Sequence, residues 1–325
     1  MTDVACLRPR ADFVRVDALP PGELKVEYHD GVPDDLGAVL AGVRALVLPA
    51  VGPKLEPKAF IKSGLQLVQV TGAGVDRLDT QALADAGIPV ANVPGGSDHA
   101  VAEYVVTSAV TLLRRMTQST YSIMAGDYAG LRSRIISDGP TEFEGVTVGV
   151  IGLGRIGRAV AQRCLEAGAA VIGFDPFSKA PEGVVQLSFE ETLAQADVVT
   201  LHLPLTEETQ GLIGIAQLQR LKAGAILINA ARGGIVDEAA LAAQITIGHL
   251  GGAAVDVFMT EPPSTGSPLL ALDAAAASRM ILTPHIAGVT RQSWSRLFQG
   301  AWDNVHGVLS KGQAPKNVVN GVTRS

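Results

Sequence analysis

The sequence predicts an α/β protein of two domains, each built on a parallel sheet. Two observations carry this. Short apolar runs alternate with helix-like segments twice along the 325 residues. Strands alternating with helices imply parallel strands covered on both faces. Between the two series lies one long helical pattern, "SDHAVAEYVVTSAVTLLRR", starting at Ser97. The joins fall near 97 and 290.

In the first series "LKVEY", "ALVLPA", "LQLVQVTG" and "IPVANV" read as strands. "RLDTQALADAG" reads as a helix stopped by Gly87. In the long helix, Ser97 is a plausible N-cap and Asp98 suits the positive end. Arg114 and Arg115 suit the negative end. Its apolar residues reach around much of its surface, as in helices buried in a core or at a subunit interface. "MAGDYAGLRSRIISDGPTEFEG" reads as a weakly patterned connection.

The second series has strands in "VTVGVIG", "AAVIGFD", "DVVTLHLP", "AILINAA", "GGAAVDVF" and "MILTPHI". Ser188 and Glu191 have capping-box spacing, "IAQLQRLKAG" is expected to stop at Gly224, and Asp237 can cap "EAALAAQI". Trp294 and Trp302 lie eight residues apart on the final helix pattern, a core spacing.

Bulk composition narrows the function classes. Hydrophobic residues make up 47% and charged residues 18%, enough to bury a sizeable core. A net charge of -6 argues against a broad nucleic-acid surface. Cys6 and Cys164 have no metal or redox spacing. The first residues lack a signal-peptide pattern, and no apolar run is long enough to span a bilayer. The expectation is a cytoplasmic protein with no membrane and no nucleic-acid partner.

"VGVIGLGRIGRAV" holds G-x-G-x-x-G at Gly152, Gly154 and Gly157, after a strand and opening a helix. That context presents backbone N–H groups to a pyrophosphate. Gly152 permits the turn, Gly154 the phosphate approach and Gly157 the close helix–strand packing. Asp175, at the end of the next strand, can accept the adenosine ribose hydroxyls and repel a 2′-phosphate. These residues point to a Rossmann domain and to NAD rather than NADP. Lys179, four residues on, could soften that preference.

Three further strands each end in one polar residue: Arg232 after "AILINAA", Glu261 after "AAVDVFMT" and His285 in "ILTPHIAG". Carboxyl ends of parallel strands share one sheet edge, beside the cofactor crevice. Reduction of a 2-oxo acid needs this set. A guanidinium binds carboxylate and ketone, an imidazole protonates the alkoxide, and a carboxylate fixes the imidazole tautomer. The competing reading of each is bland: a turn arginine, an exposed acid before Pro-Pro, and a core histidine. For His99 and Glu103, one turn apart, and for His202 and His249, the structural reading is preferred.

From about residue 45 onward the chain resembles the D-isomer-specific 2-hydroxyacid dehydrogenases. The resemblance rests on "TGAGVDRLD", "NVPGGSDHAVAEYVV", "VGVIGLGRIG", "HLPLTEET", "LINAARGGIVDE", "VDVFMTEPP" and "LTPHIAG". It implies a flavodoxin-like substrate domain, residues 1–96 plus 291–325, with a Rossmann NAD-binding domain, 97–290, inserted in it. It implies a homodimer with the 97–116 helix near the interface. Arg232 then clamps the substrate and His285 is the acid/base, with Glu261 its partner. The backbone of Gly72, Ala73 and Gly74 would hold the substrate carboxylate. Arg155 and Ile156 sit in the phosphate loop, Leu203 and Pro204 line the cofactor, and Asp256 matches the position that contacts the nicotinamide carboxamide.

The chain departs from relatives acting on phosphorylated substrates, which often carry a basic residue just before the glycine-rich substrate loop. Here stand Gln69, Val70 and Thr71. Lys54 or a partner subunit could compensate. A small unphosphorylated 2-oxo acid, glyoxylate or hydroxypyruvate, is favoured. Its side chain would meet Ala50, Val51 and Gly52. Tyr128 stands where the family often has a tryptophan, and the segment from Glu261 to His285 is longer than usual. The rivals are a phosphoglycerate dehydrogenase, a dinucleotide-sensing corepressor-like protein, and an amino-acid dehydrogenase, which would typically use a lysine that the substrate loop lacks.

Overall fold

Each apolar run becomes a strand, and in both sheets every pairing is parallel. The computed structural model describes residues 2–61 and 63–323. The strands are β1 Val4–Cys6, β2 Val26–Tyr28, β3 Ala45–Leu48, β4 Leu67–Val70, β5 Val90–Ala91, β6 Thr147–Ile151, β7 Ala170–Phe174, β8 Val184–Gln186, β9 Val198–Leu201, β10 Ile226–Asn229, β11 Gly252–Val255 and β12 Met280–Leu282. The helices are α1 Arg10–Arg15, α2 Leu36–Leu40, α3 Thr80–Asp85, α4 Asp98–Leu113, α5 Met116–Met124, α6 Tyr128–Asp138, α7 Arg155–Glu166, α8 Phe189–Gln195, α9 Ile215–Arg220, α10 Glu238–Thr246, α11 Ala274–Ala277 and α12 Arg291–Lys311.

The chain divides into two compact units, Met1–Ser97 with Val289–Ser325, and Asp98–Gly288. The first unit carries a five-stranded sheet ordered β2-β1-β3-β4-β5, the flavodoxin-like order. One face packs on α1 and α12 through Phe13, Phe298 and Trp302; the other packs on α2 through Leu36 and Leu40. Both faces are covered, so β3 and β4 are buried along their whole length. Trp302 is fully buried, as its spacing predicted, while Trp294 is partly buried.

The second unit carries a seven-stranded sheet ordered β12-β11-β10-β9-β6-β7-β8. Strand order reverses between β6 and β9, which is where a doubly wound sheet opens its crevice. On one face lie α4 and α7; on the other lie α8, α9, α10 and α11. The α4 helix buries Ala100, Val101, Ala102, Val105, Ser108, Ala109 and Leu112, and leaves Glu103 and Thr107 exposed.

Caps follow the local signals. The Ser188–Glu191 capping box forms, and Asp237 accepts from the N–H groups of Ala239 and Ala240. Four expectations need correcting. The strands β1 and β8 were not anticipated; β8 is mostly exposed and offers no buried face for a pattern to mark. The stretch read as a connection forms α5 and α6, which bury only Leu131 between them, so no buried stripe marks them as helices. The α9 helix ends at Arg220 with Leu221 as its cap, and Gly224 serves the later turn into β10. The α4 helix ends at Leu113, so Arg114 and Arg115 lie beyond it; Arg115 takes left-handed backbone and caps α5. Among the described residues, no helix is long and apolar enough to cross a membrane.

Candidate active site

The carboxyl edge of β10, β11 and β12 gathers the three polar residues. After β10 the chain turns through Ala231 and Arg232. Asn229 holds this turn: its Oδ1 accepts from Ala231 N at 3.1 Å and its Nδ2 donates to the Arg232 carbonyl at 3.1 Å. Arg232 is half-buried, and its Nη1 donates to the Ala231 carbonyl at 2.7 Å. Gly233 is required here. A Cβ at that position would stand 1.8 Å from the Phe258 carbonyl oxygen, so only glycine lets this turn meet the β11 turn.

Glu261 Oε1 accepts from Phe258 N at 3.1 Å, which fixes the carboxylate, and its Oε2 lies 2.8 Å from His285 Nδ1. Both side chains are 28% exposed, enough to reach a ligand and too little to wander. With Nδ1 facing the carboxylate, Nε2 is the ring nitrogen left for a substrate. Glu238, at the start of α10, braces the same loop by accepting from Met259 N at 2.7 Å and Ser267 Oγ at 3.2 Å.

His285 adopts left-handed backbone, φ +56°, a conformation that costs energy outside glycine. Its neighbours over-determine it. Asp256 is 1% exposed; its Oδ1 accepts from Thr283 Oγ1 at 2.6 Å and Ile286 N at 2.8 Å, and its Oδ2 from Ala287 N at 2.9 Å. The Asp256 carbonyl accepts from His285 N at 2.8 Å. Asp256 therefore winds the 283–287 turn around itself, a bracing role that its spacing alone did not suggest. Thr283 must donate to the carboxylate, so its oxygen accepts from Tyr104 O–H, 2.7 Å away on α4. Burial, more than the nearby Asp256 charge, raises the Tyr104 phenol above its ordinary value near 10, so it remains the donor. Tyr104, Thr283 and Glu238 were not singled out in the sequence, although each lies inside a quoted motif, "NVPGGSDHAVAEYVV", "LTPHIAG" and "LINAARGGIVDE"; nothing local marked their hydrogen-bond partners.

The glycine loop fits a dinucleotide. Gly152 has φ +94°, and a Cβ there would stand 2.4 Å from the His202 carbonyl oxygen. A Cβ on Gly157 would meet the Gly152 carbonyl oxygen at 1.8 Å, whereas one on Gly154 would meet nothing within 4 Å. Gly154 caps the twelve-residue α7 with no side-chain bond, so a ligand can take the first N–H groups at Arg155 and Ile156. The Arg155 guanidinium lies 3.3 Å from Asp98 and is 67% exposed, open to a phosphate. Asp175, just past β7, ties the crevice together. Its Oδ2 accepts from Leu153 N at 2.7 Å and its Oδ1 from Phe177 N and Ser178 N, each at 2.8 Å. A carboxylate has about four acceptor positions, so capacity remains for a ribose hydroxyl. Leu203 and Pro204 follow β9 beside this loop. Desolvation pushes the His202 imidazole down to about 3, and its Nε2 lies 2.9 Å from Thr200 Oγ1, a structural role.

In the first unit, Gly72, Ala73 and Gly74 follow β4. The Gly72 carbonyl accepts from Val93 N at 2.9 Å and the Ala73 carbonyl from Asn92 Nδ2 at 2.7 Å. In a trans peptide the N–H points opposite to the C=O. The N–H groups of Ala73 and Gly74 are thereby turned away from Val93 and the Asn92 side chain. Gln69 is fully buried and bonded to Val70, Ala91 and Asn304, so it is committed to the core.

A doubly wound sheet thus carries a glycine-loop crevice that fits a dinucleotide, with an arginine and a Glu–His pair along its carboxyl edge. The comparisons with known proteins agree. Residues 106–287 match the family model described as D-isomer specific 2-hydroxyacid dehydrogenase, NAD binding domain. The chain is 39% identical over 260 residues to a D-3-phosphoglycerate dehydrogenase of Archaeoglobus fulgidus, covering 79% of this chain and 47% of that protein. It is 34% identical over 300 residues to a glycerate dehydrogenase of Methylorubrum extorquens, covering 92% of each. A solved structure of D-2-hydroxyisocaproate dehydrogenase superposes with a TM-score of 0.83 at 26% identity, covering 99% of this chain and 100% of that one. The chain belongs to the D-isomer-specific 2-hydroxyacid dehydrogenase family, with NAD as the cofactor of its nucleotide-binding domain. It spans about half the length of the first curated relatives it matches, 47% and 51%.

Proposed function

We propose that the protein interconverts a small, unphosphorylated 2-oxo acid and its D-2-hydroxy acid with NAD(H). The observation that carries this reading is the 2.8 Å His285–Glu261 pair on the sheet edge that also bears Arg232. NADH, when bound, supplies the hydride to C2. Arg232 holds the substrate carboxylate and draws electron density from the ketone oxygen. His285 Nε2 gives its proton to that oxygen as it becomes an alkoxide. Glu261 holds the opposite nitrogen protonated and steadies the imidazole ring. Asp256 keeps the His285 turn wound, and the remaining acceptor capacity of its Oδ2 is offered to the nicotinamide carboxamide. Gly152, Gly154, Arg155, Ile156 and Gly157 take the pyrophosphate, Asp175 the adenosine ribose, and Leu203 and Pro204 the nicotinamide side. Ala73 and Gly74, with Gly72, offer N–H groups to the substrate carboxylate in the 1–96 plus 291–325 domain.

The buried, committed Gln69 favours an unphosphorylated substrate, because the segment before the substrate loop then carries no cation. We place glyoxylate or hydroxypyruvate first and phosphohydroxypyruvate second. We also infer a homodimer, supported by exposed Met116, Tyr121, Ile123, Met124 and Tyr128 on α5 and α6; a monomeric mass in solution would remove that inference. NADH oxidation is measured with glyoxylate, hydroxypyruvate, pyruvate, 2-oxoisocaproate and phosphohydroxypyruvate. His285→Ala is expected to lower kcat by about 10²–10⁴-fold with NADH binding retained. Arg232→Lys keeps the charge but loses the two-pronged geometry, so catalytic efficiency should fall. Unaltered efficiency in both variants would end this reading. Tight NADH binding without turnover on any acid would favour a dinucleotide sensor.

A further inference from the structure

We propose that Arg77 is a specificity-determining residue: it locks the 49–53 turn of the first unit and so sets which side chain on a 2-oxo acid is accepted. This rests on the function proposed above.

Arg77 is 5% exposed, although it follows a surface loop. Its hydrogen-bond partners are backbone carbonyls rather than a carboxylate. Nε donates to Pro53 at 2.9 Å, and Nη1 donates to Pro49 at 2.9 Å and Val51 at 3.2 Å. Burying a guanidinium against neutral acceptors is costly, so the arrangement needs a reason. The turn supplies one, because it cannot hold itself. Pro49 and Pro53 have no N–H to give. Gly52 has φ +136°, and a Cβ there would stand 2.9 Å from Arg77 Cζ, so the turn is fitted closely to this guanidinium. The Arg77 carbonyl closes the far end by accepting from Leu55 N at 2.9 Å.

The clamp decides what the turn shows on its other side. With the carbonyls of Pro49 and Val51 bound to Arg77, planar trans peptides aim the N–H groups of Ala50 and Gly52 away from it. Val51 is 45% exposed beside them. The turn also touches the substrate loop: a Cβ on Gly72 would stand 2.9 Å from Ala50 Cβ. A 2-oxo acid held by its carboxylate at Ala73 and Gly74 would have its C3 substituent within reach of this turn. One apolar side chain and outward N–H groups suit a short uncharged substituent with an acceptor at its end, such as hydroxymethyl. Glyoxylate has no such substituent and does not sense the turn.

The test compares kcat/KM for glyoxylate, hydroxypyruvate and 2-oxoisocaproate in wild type, Arg77→Met and Gly52→Ala, with hydrogen–deuterium exchange over residues 49–55. In Arg77→Met, efficiency on the two acids with side chains should fall about tenfold relative to glyoxylate, through KM, as expected for a lost charged hydrogen-bond cluster. Exchange in the turn should quicken and NADH affinity should hold. Gly52→Ala perturbs the same contact from the other side and carries the test if Arg77→Met does not fold. Equal losses on all three acids, or an unchanged ranking, would overturn the role of Arg77 while leaving the dehydrogenase reading intact. A wild type that reduces no 2-oxo acid would overturn both.

Discussion

At the scale of single residues, His285 depends on groups that never touch a substrate. Its left-handed backbone is held by Asp256, and Asp256 is held in part through Thr283 and Tyr104. Tyr104→Phe removes one donor and no volume of consequence. It should lower stability by about 1 kcal/mol and kcat severalfold, with NADH affinity unchanged. The phenol's ionisation is displaced upward in the fold, so the neutral form is favoured there. The stability this adds is fully present below the unfolded value near 10 and is lost as pH climbs through the raised one. Above pH 10 the wild type should therefore lose its advantage over the phenylalanine variant. Denaturant midpoints across that range check the sign, and an advantage that grows with pH would refute it.

At the scale of elements, the glycine loop separates packing from ligand approach. Gly157 is closed in by the Gly152 carbonyl, whereas space around Gly154 is open. Gly157→Ala should cost about 1–3 kcal/mol of stability by overpacking and weaken NADH binding as well. Gly154→Ala should leave the melting temperature unchanged and still raise the Kd for NADH, because only a pyrophosphate would meet the added methyl. Differential scanning fluorimetry with and without NADH distinguishes the two. The same elements show what was legible beforehand. β6, β9, β10 and β11 announced themselves as apolar runs because both sheet faces are covered. Arg232, Glu261 and His285 stood out as lone polar residues at the ends of such runs. β8, α5 and α6 bury too little to show a pattern. Tyr104 and Arg77 were silent for another reason: their partners lie far along the chain or on backbone carbonyls, which a linear pattern does not encode.

At the scale of the whole molecule, each unit has its own cores and one buried thiol. Cys6 lies in the first and Cys164 in the second, and burial pushes both up to about 12. Neither should react with a disulfide reagent at pH 8 in the native protein. In rising denaturant each should label as its own unit opens, at separate midpoints, read by mass spectrometry of the two peptides. A single shared midpoint would mean that the units unfold as one.

The first unit is also discontinuous. Val4, Cys6, Phe13, Val47 and Leu67 share a core with Leu297, Phe298, Trp302 and Val305 of α12. On the ribosome those strands are made before the second unit and their covering helix after it. Throughout translation of the second unit, one apolar face of the five-stranded sheet has only α1 of its native cover. A chain stalled before Thr290 keeps most of that face bare, a hydrophobic surface of the kind chaperones bind.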